Sequence, residues 1–389
     1  MFRTPPTVSI PTLNFQPPKS FMVNLQTITP MFGGSASTRE VDTEHPVRAA
    51  SVRGQLRFWW RATAGAQFES AEKLFEEESK IWGNTEQHGA VRVEVLNQKA
   101  DPPRVPQLAR ELTYATFPFQ EQRASPTSLG VAASKATSAS FTLCLTCSPD
   151  HVSQVKTAVQ AWVMFGGIGS RTRRGCGSLR VTDGVLPPLT FSGKGAQMLT
   201  TLPGVFYQGK VENDPLKTWE QAVRVYKEFR QQRNAGQERN RPGRSHWPEP
   251  DSLRRMTGWA APNHEPSHAV TGYPRADLGL PIIFHFKDRG DPGDQTLQGS
   301  TKGQERFASP VITKAQAVAG GYAPIIMILE APHVWEGGGV GFRKGDDLSR
   351  QQLELTPAER HDVRPLSGKP IREALADFVQ KSGFTEVRL

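Results

Sequence analysis

A chain of 389 residues is long enough for two or three domains with cores of their own, which excludes a mini-protein held by disulfides or metal. With 37% hydrophobic and 22% charged residues it sits near globular averages, which excludes disorder throughout. Lys and Arg number 47 against 38 Asp and Glu, a net charge of +9, and 31 of the 47 are Arg, whose planar fork suits phosphate and stacking, so nucleic acid fits better than a merely solubilising basic surface.

The 35 Gly and 31 Pro call for long or numerous loops. Cys144, Cys147 and Cys176 are too few for a disulfide framework, and no secretory pattern opens the chain, so the expected location is the reducing cytoplasm. No apolar run approaches the ~20 residues that a bilayer requires.

In chain order, Phe21 to Ile28 reads as a strand closed by Pro30 and the Gly33-Gly34 turn. Ser51 to Ala64 reads as a helix with Arg53, Arg57 and Arg61 on one face and Leu56, Trp59, Trp60 and Thr63 inward. A second helix starts at Ser70 and stops at Gly83, with Ala71, Leu74, Phe75, Ile81 and Trp82 on one side and Glu76, Glu77 and Glu78 as a solvated face. Val91, Val93 and Val95 alternate with polar residues, as do Phe141, Leu143 and Leu145, the mark of half-buried strands. Residues 100–138 between them lack periodicity and read as a long insertion. Ser148 and Pro149 open a helix carrying Val152, Val155, Val159, Trp162 and Phe165, and Ser178 to Thr182 suits a last strand. The resulting order, βαββαβ, is α+β and ferredoxin-like (RRM-like).

Gly and Pro clustered over 185–213 suggest a boundary. The expected organisation is an N-terminal domain at 1–190 with its insertion at about 100–138, a linker at 191–213 and a second α+β domain at 214–389. Asp214 and Pro215 start a helix with Leu216, Trp219, Val223, Tyr226 and Phe229 inward, residues 234–276 read as a loop, Leu280 to Phe286 and Pro324 to Leu329 as strands, and Pro370 opens a last helix with Ile371, Leu375 and Phe378 inward.

Chemistry concentrates in Gly166 to Ser178 (GGIGSRTRRGCGS), where five glycines and three arginines share thirteen positions. Glycines let the backbone approach phosphate, successive N–H groups make an anion nest, and Arg171, Arg173 and Arg174 add forks. No Gly-Lys-Ser/Thr follows and the run does not join a strand to a helix, so neither a Walker A loop nor a dinucleotide fingerprint is present. Ser51 and Gly54 at a helix start, with Arg53 and Arg57 one turn apart, offer a second anion site. The basic series Arg224, Lys227, Arg230, Arg233, Arg239, Arg241 and Arg244 either extends a track or solvates a loop. Cys144 and Cys147 form one CxxC on a strand without a second pair, so neither a zinc site nor a redox pair is expected, and no cofactor is required for a role in binding RNA.

Thr29 to Gly34 (TPMFGG) followed by Ser51 to Ala62 (SVRGQLRFWWRA) resembles the first-subunit family of the Cmr (type III-B) CRISPR effector complexes, within the RAMP superfamily. The glycine run resembles that superfamily's C-terminal Gly-rich motif, and Tyr273 to Pro281 and Arg306 to Pro310 are similar, more loosely, to the family's second domain. The resemblance implies two tandem ferredoxin-like RAMP domains in a non-catalytic subunit of a CRISPR ribonucleoprotein, engaging the 3′ region of the guide RNA, the paired target RNA and other RAMP subunits. The RNA-binding residues it points to are Ser51, Arg53, Gly54, Arg57, Arg61, Gly167, Gly169, Arg171, Arg173, Arg174, Gly175, Gly177, Ser178, Arg275 and Arg306. A subunit serving many guides would hold backbone, which suits glycines and arginines. Some relatives cut RNA with an Asp after the first strand or a His base, and Asp42 and His45 occupy that loop as the alternative catalytic pair.

Overall fold

The computed structural model describes residues 16–124, 129–183 and 204–387, apart from 234, 236–242, 287, 302, 337, 343–346 and 349–352. Residues 1–15, 184–203 and the positions Arg239 and Arg241, on which parts of the N-terminal domain, the linker and the basic series were expected, lie outside them.

Alternating apolar and polar residues build the first sheet. Its half of the chain runs β1 (Lys19–Thr27), β2 (Met31–Phe32), α1 (Ala49–Arg61), α2 (Ala71–Trp82), β3 (Arg92–Ala100), α3 (Thr113–Thr116), β4 (Ala136–Thr137), β5 (Ala139–Cys147), α4 (Val152–Phe165) and β6 (Leu179–Val181). The four main strands pair antiparallel in the order β3-β5-β1-β6, with Val23 opposite Leu143 and Leu25 opposite Val181. Val23, Leu25, Leu143 and Leu145 thereby point to one face, where Leu56, Trp59 and Trp60 of α1 and Trp162 of α4 bury against them.

The second half runs β7 (Gly204–Gln208), α5 (Pro215–Gln231), α6 (Glu249–Thr257), β8 (Ile282–Phe284), β9 (Gln295–Gly299), β10 (Val311–Val318), β11 (Gly321–Leu329), β12 (Val340–Phe342), β13 (Asp347–Leu348), α7 (Pro357–Asp362), α8 (Ile371–Lys381) and β14 (Thr385–Val387). Its main sheet, β10-β11-β7-β14, is again antiparallel and repeats the connectivity of the first. A third sheet, β13-β12-β9-β8, gathers insertions from before β10 and after β11 around Tyr273, Leu297 and Phe342.

One face of the second main sheet carries α5 and α8, through Tyr207, Tyr226, Ile326 and Leu375. Its other face, with Phe206, Ile312, Ile325 and Met327, packs into the same core as Trp162 and Phe165 of α4. Helix α4 therefore lies between two sheets, and every residue from Thr157 to Phe165 is buried, not only the expected stripe.

Several expectations are corrected. Helix α1 begins at Ala49, so Ser51 sits in its first turn and Gly54 in its interior. Phe75 is 54% exposed, whereas Glu78 is 3% exposed; the buried stripe of α2 follows Glu78, Ile81 and Trp82. A three-residue turn of tighter helix, Pro149–His151, precedes α4. Residues 204–208 of the expected linker are β7, the strand beside which β11 and β14 pair. The stretch 234–276 holds α6. Within the insertion, β4 pairs with β2, and Leu112 and Ala115 pack with Phe32, Cys176 and Trp219, so its described residues form a wedge between the halves. Among the described residues no helix is long and apolar enough to cross a membrane.

Candidate nucleic-acid interface

The turn after β1 and the glycine run after α4 are laced together by backbone. Ser170 N–H donates to Phe32 O at 2.9 Å, Gly177 N–H to Pro30 O at 2.9 Å, and Thr29 Oγ1 to Gly175 O at 2.6 Å. Gly33 has φ +85° and a Cβ there would meet Ser170 Oγ at 2.9 Å; Gly169 also has φ +85° and a Cβ would meet Phe32 O at 2.6 Å. Side chains are excluded at both positions by conformation and by space. Arg48 then donates to Gly34 O, which draws the start of α1 to the same turn. From the other side, the Arg173 guanidinium lies 5.1 Å over the Phe58 ring of α1. The two motifs singled out in the sequence thus stand side by side, and the seam between them is a candidate furrow.

The furrow's surface is cationic. Arg48, Ser51, Arg53 and Gly54 are exposed on α1, and Gly169 and Ser170 are exposed opposite. Helix α1 has no side-chain cap at Arg48 and no acid in its first turn; the carboxylate near its start is Asp42, 3.6 Å from Arg48 Nη2. A Cβ at Gly54 would meet nothing within 4 Å.

The arginines divide by what they touch. Arg57 Nε bonds Glu78 Oε1 at 2.6 Å, and Arg61 holds the same carboxylate at 2.8 and 2.9 Å, so both are drawn toward α2. Burial acts to raise the Glu78 carboxyl, but the Arg61 and Arg57 bonds outweigh it and hold the group below the ordinary carboxylate range. Arg174 is 9% exposed, donates to Val311 O at 2.7 Å and stacks 4.8 Å over Tyr226. Arg171 donates to Ala115 O and Arg173 to Ser309 O. These bonds fasten the glycine loop to the insertion and to the second half, where the sequence pattern suggested free phosphate forks.

Among the described residues no ion pair involves these three arginines, and burial, then Arg174, hold Arg171 and Arg173 below the usual guanidinium range. Their unneutralised charge stands behind the furrow and adds to its field. Gly175, Gly177 and Ser178 are buried, and their N–H groups bond Thr172 O, Pro30 O and Thr29 Oγ1, so the anion nest expected there is already filled by protein oxygens. Gly167 is buried as well.

In the second half, Arg275 pairs with fully buried Glu249 at 3.1 Å and stacks between Trp247 and Phe284, which makes it a fastening of the third sheet instead of an RNA contact. Arg306 is exposed, three residues before the Ser309 carbonyl that Arg173 reaches. Of the basic series, Lys227 pairs with Glu111 at 2.6 Å and Arg244 with Asp251 at 2.5 Å.

Asp42 Oδ1 accepts from the N–H groups of His45 and Glu44 at 2.8 and 3.1 Å, and its Oδ2 lies 3.6 Å from Arg48. Those bonds, the His45 N–H first, hold its carboxyl below the ordinary range and give it the part of a turn lock. Cys144 and Cys147 are buried in β5, and burial pushes the Cys176 thiol up to about 12.

Sequence reasoning passed over Arg48 and Ser170 as furrow residues. The signal for both was adjacency: Arg48 directly precedes the helix, and Ser170 interrupts the glycines where the chain turns outward.

Comparison with known proteins bears on the same segment: residues 24–180 match the family model described as RAMP superfamily. That stretch of the chain is similar to the RAMP superfamily. The matched segment begins within β1, contains β3 and β5, and ends within β6, just after the glycine run. The chain is similar to two Cmr subunits of Pyrococcus furiosus. It is 30% identical to Cmr1-1 over 146 residues, 36% of this chain and 41% of that protein's length. It is 28% identical to Cmr1-2 over 179 residues, 41% of this chain and 92% of that protein. Solved structures similar to it include apo Cmr1 of Pyrococcus furiosus, with 17% identity, TM-score 0.45 and coverage of 95% and 98% of the two chains. Another is a chain of the type III-B Cmr-beta complex bound to cognate target RNA, with 11% identity, TM-score 0.41 and coverage of 94% and 100%.

Proposed function

We propose that the chain is a non-catalytic RNA-binding subunit of a type III-B (Cmr) CRISPR effector, made of two ferredoxin-like RAMP domains whose strand order each main sheet repeats. The first domain runs to about residue 190 and the second begins with β7. Guide RNA, its paired target and neighbouring RAMP subunits are the partners.

The observation that carries this reading is the convergence of Gly33, the exposed start of α1 and Ser170 on one cationic furrow. A ribose-phosphate strand is held there by the α1 N-terminus, Arg48 and Arg53, while Gly54 lets the backbone come close and the loop arginines supply field from behind. Its named side chains, Arg48, Ser51, Arg53 and Ser170, lack the paired donor and acceptor of an amide for reading a base, so binding through them is indifferent to sequence.

The test is fluorescence anisotropy with two unrelated RNAs of equal length. Arg48→Ala combined with Arg53→Ala should weaken both to the same degree and flatten the salt dependence by about 0.7 in log–log slope for each phosphate left unneutralised. Unchanged affinity for both RNAs rejects the furrow.

A further inference from the structure

Away from the furrow, a cavity of about 520 Å³ opens between the segment before α6, the stretch after it and the end of α7. Its lining brings together Arg244, His246, His268, Arg364 and Asp362. These side chains come from three separate segments, so their convergence is a product of the fold and not of local sequence. We propose that this cavity is a binding site for a phosphomonoester group carried by a nucleotide or an RNA end.

Several features support the assignment. Two arginines and two imidazoles bring N–H donors to one lining, the chemistry that phosphate recognition requires, with Arg244 Nη1 also held by Glu265 O at 2.9 Å and the Asp362 carboxylate the one acidic group of that lining. Arg244 and His268 are pre-positioned by one buried carboxylate: Asp251 takes Arg244 Nη2 at 2.5 Å and His268 Nδ1 at 2.7 Å. That leaves the far side of the His268 ring for a ligand. Arg364 is exposed, and among the described residues it enters no ion pair; its guanidinium reaches His246 Nε2 at 3.5 Å. Burial first, then Arg364 and His268, hold the His246 imidazole below its ordinary value, so the charge offered to an anion comes first from the arginines. The volume falls within the range of small-ligand pockets and is ample for one nucleotide.

The experiment is calorimetric titration of the full chain with sodium phosphate, AMP and adenosine. Phosphate and AMP should bind saturably at one site and adenosine should not. Arg364→Gln and His246→Gln should each weaken AMP about ten-fold without moving the melting midpoint, because neither side chain is buried in the core. Arg364→Lys, which keeps charge and loses the fork, should recover part of the affinity. Tetraribonucleotides with a 5′-phosphate or a 5′-hydroxyl separate the sources: phosphorylated RNA tighter than AMP marks an RNA end, and equality marks a free nucleotide. Adenosine binding as well as AMP, equal binding of both tetranucleotides, or indifference to both glutamine variants overturns the assignment. Arg48 and Arg53 take no part in it, so failure of the furrow reading leaves these outcomes intact.

Discussion

Glu78 shows how much one buried charge organises. It sits third in a run of acids, yet it lies on the stripe with Leu74, Ile81 and Trp82, and it gathers Arg57 and Arg61 onto one carboxylate. Glu78→Gln should lower stability at pH 7 by roughly 1–2 kcal/mol, less than a fully buried pair because Arg61 remains half in water. The sign with pH follows from the depressed carboxyl. A folded-state value below the unfolded one contributes stability that is complete above the unfolded pKa of ~4.3 and is lost as pH falls through the folded value. Urea midpoints of the two proteins should therefore differ at pH 7 and converge below about pH 4; a difference that persists unchanged in acid would mean the pair contributes packing rather than charge. The helical spacing from Leu74 to Trp82 carried this information in the sequence. Reading the three acids as one solvated run hid it, and with it the reason why two of the three stripe arginines turn away from the furrow.

Among elements, α1 poses the sharpest question, because an exposed helix interior has no structural use for glycine. Gly54 meets open space, and a glycine at such a position costs about 0.5–1 kcal/mol relative to alanine. Gly54→Ala should thus raise stability by that amount in chemical denaturation while lowering RNA affinity several-fold in anisotropy. A more stable protein with unaltered affinity would show that no ligand backbone approaches there. The elements that carry clean periodicity, β1, β5, α4 and α5, were legible in sequence because each has one face to bury. The missed ones lacked that contrast. Strand β10 (VITKAQAV) reads as polar, yet Thr313, Lys314 and Gln316 are all buried, since helices cover both of its faces. Strand β7 was masked by the Pro203-Gly204 turn signal before it, and the third sheet joins insertions far apart in the chain, a pairing that local pattern does not encode. For the site, the two converging segments were legible as glycine and arginine clusters. Which arginine faces water was not, because each partner (Ala115, Ser309, Val311) belongs to another part of the chain.

At the scale of the whole molecule, the two halves meet over the C-terminal end of α4, and Lys314 is the residue that makes the junction specific. Its Nζ donates to Val163 O at 2.8 Å and Gly166 O at 2.9 Å, supplying donors to carbonyls that a helix end leaves open. The same β10 edge of the interface accepts Arg173 and Arg174 through Ser309 O and Val311 O, so the junction also sets where the glycine loop stands against α1. Complete burial pushes the Lys314 ammonium down to about 7. Between that value and the ordinary lysine value of ~10.4, the unfolded chain keeps a proton that the folded one has released, so stability attributable to this residue rises with pH across the window, by at most about 1.4 kcal/mol per pH unit. Below pH 7 both states hold the proton and the contribution is flat. Lys314→Met removes the titration and the two hydrogen bonds together. Thermal midpoints of wild type and variant, compared from pH 6 to pH 9.5, should diverge in favour of wild type as pH rises; parallel curves would mean that the carbonyl bonds keep the ammonium charged in the fold. RNA anisotropy along the same series reads the second consequence. If the junction holds the furrow in shape, the variant should bind both test RNAs more weakly although no furrow residue has changed, whereas a drop in stability with intact affinity would confine Lys314 to holding the halves together.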